Sequence, residues 1–388
     1  MANFQVQAGT TLEGFETLGA WTISGGTAAL DTNYVKSGTS SLKLTSGSGT
    51  NCIATKTISL DLSRAGMIYF WVYIESLTDV LTLQVILGND AAFANFYTKT
   101  FTTFHQGWNK LPLGRTSWTA SGSPSWNTTF ERLRVRVNAN ASVSPVVYYD
   151  SMVQAYYSRP KAVISFDDGW ASVYDVAYPI MKAYGFKGSL YLIKQRIDTA
   201  GYMTTAMVQE LFDEGWDVMN HTDNHVNIQT ELTTQAEVEA ELSACRDWII
   251  AQGWSRDNGE LHVAYPNGGY DQKVLNAMAS LGMTTGRTII NRTQANEIDS
   301  KYQLCRQSHA YTAADATYQA YVTNAIAEGG KVQLNYHKII ASGGTVGTEV
   351  HTSQFQGMMD FLAQRTAVID VITELEWYKG LTNSRKLI

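Results

Sequence analysis

The period of the side-chain pattern changes near residue 158, and this change restricts the chain to two halves built on different principles. Before it, short runs of β-branched and aromatic residues occur at Met67–Glu75, Val80–Leu87, Phe96–Phe104, Arg132–Asn138 and Val146–Tyr157. Turn-forming clusters such as Ser24–Thr27, Ser46–Gly49 and Ser121–Pro124 punctuate them. Runs of this length and punctuation predict antiparallel strands, hence a jelly-roll-like β-sandwich over residues 1–158. After it, apolar runs of strand length alternate with helical patterns. Strands are expected at Lys161–Phe166, Gly188–Ile193, Trp216–Asn220, Leu261–Tyr265, Thr284–Ile289, Tyr302–Gln307, Val332–Tyr336 and Val368–Ile372. A capping box at Thr234–Glu237 opens a helix whose face is Val238, Leu242, Cys245 and Ile249. Other helices are expected over Thr204–Glu214, after Asp271, near Ala314–Glu328 and over Thr352–Arg365. Such alternation needs parallel strands with helical crossovers, and about seven or eight units predict a (β/α) barrel over 159–388.

Composition removes several classes of function. Hydrophobic residues make up 44% of the chain and aromatics 11%, enough for two packed cores and too much for disorder. The three cysteines, Cys52, Cys245 and Cys305, are scattered and form no Cys-x-x-Cys, so neither a disulfide framework nor a thiolate zinc knuckle is expected. A net charge of −6 without a Lys/Arg cluster argues against a nucleic-acid partner. The apolar run Met67–Ile74 is far too short to cross a bilayer, so no membrane span is expected. The first ten residues lack a basic segment followed by an apolar one, so no signal peptide is read in the chain as written.

Four segments could carry chemistry, and all fall at C-terminal strand ends, where barrels place their active sites. The first, Ser165-Phe-Asp-Asp-Gly-Trp170, offers adjacent carboxylates, Asp167 and Asp168, one able to hold a cation and the other to take a proton from water. The second, Asn220-His-Thr-Asp-Asn-His225, offers two imidazoles four residues apart that can turn to one metal, with Asp223 as a further possible ligand. The third, Ala264-Tyr-Pro-Asn-Gly-Gly-Tyr270, is a loop whose backbone can approach a ligand. The fourth places His337 directly after an apolar strand. Asp168, His221 and His225 together would leave positions open on a divalent cation, with Asp167 as base and His337 as acid.

These segments resemble the signature of the polysaccharide deacetylases, carbohydrate esterase family 4, over about residues 159–388. Ser165-Phe-Asp-Asp-Gly169 is similar to the family's Thr-Phe-Asp-Asp-Gly, His221-Thr-Asp-Asn-His225 to its His-Ser/Thr-x-x-His, and Leu334-Asn-Tyr-His337 to its Leu-x-x-His. The resemblance implies a distorted (β/α) barrel, Asp167 as general base, Asp168, His221 and His225 as metal ligands, His337 as acid and Leu334 in the acetyl pocket. It implies hydrolysis of N- or O-linked acetyl groups from a polysaccharide or oligosaccharide. Zinc is favoured by the ligand types, with cobalt and nickel also accepted. Tyr265, Pro266 and Asn267 form the third family segment, with the Asn267 amide as oxyanion donor. Trp170 and Tyr270 are expected to stack on sugar rings.

Two departures matter. Ala264 stands where the family has an arginine that pairs with the base, and Arg306, or Arg287, is expected to reach in from a later strand. The segment that orients the acid histidine has no clear match beyond Asp299. The missing arginine motivates an alternative, a decayed deacetylase fold acting as a glycan-binding protein. The N-terminal sandwich, with Trp21, Trp71, Trp108, Trp118 and Trp126, suits a carbohydrate-binding or attachment module, or equally a structural spacer or oligomerisation domain. The substrate implies extracellular or cell-surface action, reached after removal of a leader or by another route, such as a phage tail component that modifies a host polysaccharide.

Overall fold

The computed structural model describes residues 9–63, 67–114, 118–155, 159–293, 301–345 and 347–383. The chain divides into two compact units, one of Met1–Ser158 with Ala327–Gly329 and the other of Arg159–Ile326 with Gly330–Ile388. Strands and helices are numbered in chain order.

The N-terminal unit consists of two antiparallel sheets. One orders β3 (Gly26–Asp31), β4 (Ser41–Ser46), β12 (Val146–Ala155), β6 (Met67–Ile74) and β9 (Gly107–Pro112), with β1 (Gly9–Glu13) also paired to β12. The other orders β10 (Thr119–Ser121), β8 (Phe96–Phe101), β7 (Val80–Gly88), β11 (Phe130–Ala139), β5 (Asn51–Leu60) and β2 (Trp21–Ser24). Side-chain alternation makes the sandwich. Ile68, Phe70, Val72 and Ile74 of β6 share one buried cluster with Leu133, Val135 and Val137 of β11. The intervening residues of β6 gather aromatics on the other face, where Tyr34 stacks on Tyr73 with ring centres 4.1 Å apart. Trp21 and Trp71 are buried, while Trp108, Trp118 and Trp126 are half-buried.

In the C-terminal unit, β13 (Lys161–Asp168), β14 (Ser189–Leu192), β15 (Asp217–Asn220), β16 (His262–Ala264), β17 (Thr285–Asn291), β18 (Leu304–Ser308) and β19 (Lys331–Tyr336) pair in that order, all parallel. Because β13 pairs with both β14 and β19, the sheet closes into a seven-stranded barrel. Its distortion is local: a last strand (Asp370–Ile372) pairs with Lys161–Val163 at the start of β13, and β14 takes over from Ser165 onward. Ala162, Ile164 and Phe166 turn outward with Val332, Leu334 and Tyr336 into the layer beneath the helices. The alternate residues Val163, Ser165 and Asp167 therefore face the barrel interior.

Helices α1 (Tyr178–Ala183), α2 (Thr205–Asp213), α3 (Gln235–Ala251), α4 (Gln272–Ser280), α5 (Asp315–Glu328), α6 (Thr352–Ala363) and α7 (Glu374–Asn383) accompany the strands. Thr204, Thr234 and Asp271 cap α2, α3 and α4 by accepting from backbone N–H groups. The start of α7 lies against the strand beginnings. Glu374 N donates to Ser189 Oγ (2.9 Å), Leu375 N to Asp217 Oδ2 (3.0 Å), and Lys331 Nζ pairs with Glu374 (2.9 Å). With that end packed by α7, chemistry is left to the rim formed by the strand ends.

Candidate active site

Asp167 ends the inward-facing series of β13, and the backbone turns immediately after it. Asp168 (φ 73°) and Gly169 (φ 86°) are both left-handed. The φ of Gly169 favours glycine, and a Cβ there would also stand 2.9 Å from Ile197 Cδ1 and 3.3 Å from Leu192 Cδ2. This reversal brings two consecutive carboxylates, which a regular strand would send to opposite faces, to one rim.

The loop after β15 is built by its own polar side chains. Asn220 Oδ1 accepts from Thr222 N (2.8 Å), Thr222 Oγ1 accepts from His225 N (3.0 Å), and Glu241 accepts from Asn224 N (2.5 Å). Thr222 (φ 72°) and His225 (φ 64°) are left-handed. This cluster of strained residues at one rim is typical of a functional site. The loop carries His221 Nε2 to 3.5 Å and His225 Nε2 to 3.6 Å from Asp168 Oδ1. His221 Nδ1 lies 2.8 Å from the Ala264 carbonyl, which fixes its N–H there and leaves Nε2 as the free lone pair. Asp168 Oδ1 is buried and has no hydrogen-bond partner among the described residues. A buried anionic oxygen without a donor, facing two imidazole nitrogens, fits a bound cation. The three ligand atoms lie within 4.8 Å of one another. Asp223 turns away to Lys194 (3.0 Å) and Gln195, so the described group is Asp168, His221 and His225.

Asp167 is 4% exposed. Arg287 Nη2 donates to both of its oxygens at 2.6 Å. Burial alone would raise the Asp167 carboxyl, but Arg287 and the imidazoles of His221 and His337 outweigh it and hold its pKa below the usual carboxylate value. Burial likewise raises Asp168, and His221, His337 and His225 reverse this, leaving it low. Burial pushes His225 down, to about 4, with His221 adding to the effect. His337 Nε2 lies 3.6 Å from Asp167 Oδ2, and burial lowers its pKa. Its Nδ1 is buried without a partner among the described residues. Asp299, expected to orient it, lies outside the described residues.

Several expected roles change. Arg306 donates to Asn291 Oδ1 (3.1 Å), and Arg287 takes the place beside Asp167. The reason is register. Ala264 and Arg287 are direct neighbours on adjacent parallel strands, so Arg287 points into the barrel at the level where the arginine was sought. Leu334 packs in the outer layer with Ile164, Phe166 and Tyr336, since strand alternation turns Gln333 and Asn335 inward instead. Tyr265 is buried, donates to the Tyr302 carbonyl (3.0 Å) and stacks on Tyr270, so both serve packing. Pro266 is buried, and Asn267, exposed and left-handed (φ 55°), turns the loop. Trp170, expected to meet sugar rings, is half-buried and donates from Nε1 to Asp168 Oδ2 (3.0 Å). Its ring stacks on Tyr202 at 4.4 Å, a residue that no sequence motif singled out.

Residues 155–286 match the polysaccharide deacetylase family profile. Over this stretch the chain is similar to the polysaccharide deacetylases. The matched stretch contains Asp167, Asp168, His221 and His225 and stops one residue before Arg287. The chain is 28% identical over 132 residues to YxkH of Bacillus subtilis (strain 168), a protein named as a polysaccharide deacetylase, covering 34% of this chain and 45% of that protein. The chain thus spans less than half the length of that relative. Among solved structures, the Streptococcus pyogenes deacetylase PplD, in complex with acetate, is 26% identical over 37% of this chain and 62% of its own, with a TM-score of 0.34. A carbohydrate-binding module of the β-sandwich superfamily is 18% identical over 38% of this chain and 62% of its own, with a TM-score of 0.29. Among the described residues, no helix is long and apolar enough to cross a membrane.

Proposed function

We propose that the chain is a metal-dependent hydrolase that removes N- or O-linked acetyl groups from a polysaccharide. The observation that carries this reading is the unpartnered Asp168 Oδ1 facing the Nε2 atoms of His221 and His225, beside a second carboxylate held ionised by Arg287. Asp168, His221 and His225 would hold a divalent cation, zinc first by ligand type, with cobalt and nickel as alternatives. Such a cation polarises an acetyl carbonyl and acidifies water. The chain supplies the rest. Asp167 takes the proton of the attacking water, and Arg287 keeps it anionic until then. The Asn267 amide donates to the developing oxyanion. His337, next to Asp167, protonates the departing amine or alcohol. The guanidinium of Arg287 beside Asp167 supports a working base over a decayed, purely binding protein. The N-terminal sandwich is assigned to carbohydrate binding or attachment, and the substrate places the reaction outside the cell or at a cell surface.

The test is acetate release from acetylated chitooligosaccharide, peptidoglycan and acetylxylan. Release is expected from at least one substrate, abolished by a chelator and restored by zinc, cobalt or nickel. No release from any of the three with every metal supplied would overturn the reading.

A further inference from the structure

We propose that Trp170 is a positioning residue for the cation: its indole N–H occupies Asp168 Oδ2, so that Asp168 offers the ion Oδ1 alone. The inference rests on the reading of Asp168 as a cation ligand. The two oxygens of Asp168 stand in different surroundings. Oδ2 accepts from Trp170 Nε1 at 3.0 Å, whereas Oδ1 is buried, has no donor among the described residues, and faces both histidine Nε2 atoms. An oxygen committed to a charge-assisted hydrogen bond is a poorer second ligand, because ligation by both oxygens would strain or break that bond.

The indole is held in place. The left-handed turn at Asp168 and Gly169 folds residue 170 back over residue 168. Ala171 N donates to the Gly201 carbonyl (3.0 Å) and Met203 N to the Gly169 carbonyl (2.8 Å), clamping the turn to the loop that carries Tyr202. Tyr202 stacks on the indole at 4.4 Å with planes 22° apart, and Lys338 Nζ stands 5.3 Å from the ring centre. A ring fixed in this way sets the direction of its N–H, as outer partners of metal ligands do elsewhere. One-oxygen ligation limits the protein to three positions around the ion and leaves the remainder for water and the acetyl carbonyl.

Trp170→Phe removes the N–H and keeps a ring to stack on Tyr202. Relative to the unaltered protein, it should weaken zinc and cobalt binding by roughly 10- to 100-fold in competition with a chelating dye. The visible absorption of the cobalt-loaded variant should fall in intensity, as expected when a second carboxylate oxygen enters the shell. Unchanged affinity and an unchanged cobalt spectrum would overturn the inference while leaving the metal site standing. Failure of the unaltered protein to take up zinc or cobalt would overturn both. If Trp170→Phe does not fold, the unaltered protein decides. The ¹⁵N-labelled indole signal most broadened by cobalt should belong to an N–H that exchanges slowly with solvent in the zinc-loaded protein, and rapid exchange there would count against the proposal.

Discussion

Arg287 and Asp167, with side chains only 3% and 6% exposed, form an ion pair in which each partner depends on the other. Removing one member of such a buried pair strands a charge and costs about 3–5 kcal/mol. Arg287→Ala should therefore lower stability by that order and turnover by roughly 10²-fold or more, since the base would lose the guanidinium that orients it and favours its anionic form. Zinc content should be retained, because Asp168, His221 and His225 are untouched. Arg306→Ala should leave turnover close to that of the unaltered protein. The register of Ala264 beside Arg287 gives a sharper expectation. Ala264→Arg introduced into the Arg287→Ala protein should recover part of the lost acetate release, and no recovery would show that the guanidinium must arrive from β17.

At the scale of elements, the rim depends on two tight turns. The turn after β13 sets Asp168 and Trp170, and the loop after β15 sets both histidines. Gly169 is left-handed, and a Cβ there meets Ile197. Gly169→Ala should cost more than about 1 kcal/mol in urea denaturation, because a side chain is imposed on a positive φ. It should also weaken zinc binding, since Asp168 and Trp170 lie on either side of the turn. The expected loss of stability with unaltered zinc affinity would show that the turn serves folding alone. The β15 loop was legible in the sequence as two histidines four apart. The Asn220, Thr222 and Glu241 bonds that shape it were not, because Glu241 comes from α3 and only folding brings it there.

For the molecule as a whole, the opposite end of the barrel carries a pH-dependent term. Asp217 is 2% exposed. Burial pushes its carboxyl up to about 7, despite hydrogen bonds from Leu375 N and from the side chains of Thr373 and Ser189. An unfolded aspartate titrates near ~3.9. Between that value and 7 the folded chain keeps a proton that the unfolded chain has lost. The contribution of Asp217 to stability is thus fully present below the lower value and declines as pH rises, by up to about 1.4 kcal/mol per pH unit, levelling off above 7. Asp217→Asn, neutral throughout and still able to accept from the same donors, should gain stability relative to the unaltered protein across this window. Denaturation at several pH values on both sides of 7 checks it, and a constant gap would refute it.

The amino-acid sequence by itself determined the two-part organisation, the alternation of strand and helix, and the identity of Asp167, Asp168, His221 and His225 as one candidate group. Those features follow from local period and short spacing. Only the tertiary structure decided which arginine serves the base, which oxygen of Asp168 is free, that Leu334 faces outward, and that Trp170 is bound to Asp168 and stacked on Tyr202. Each of these depends on strand register or on the meeting of loops distant along the chain, and neither is encoded in the spacing of any single segment.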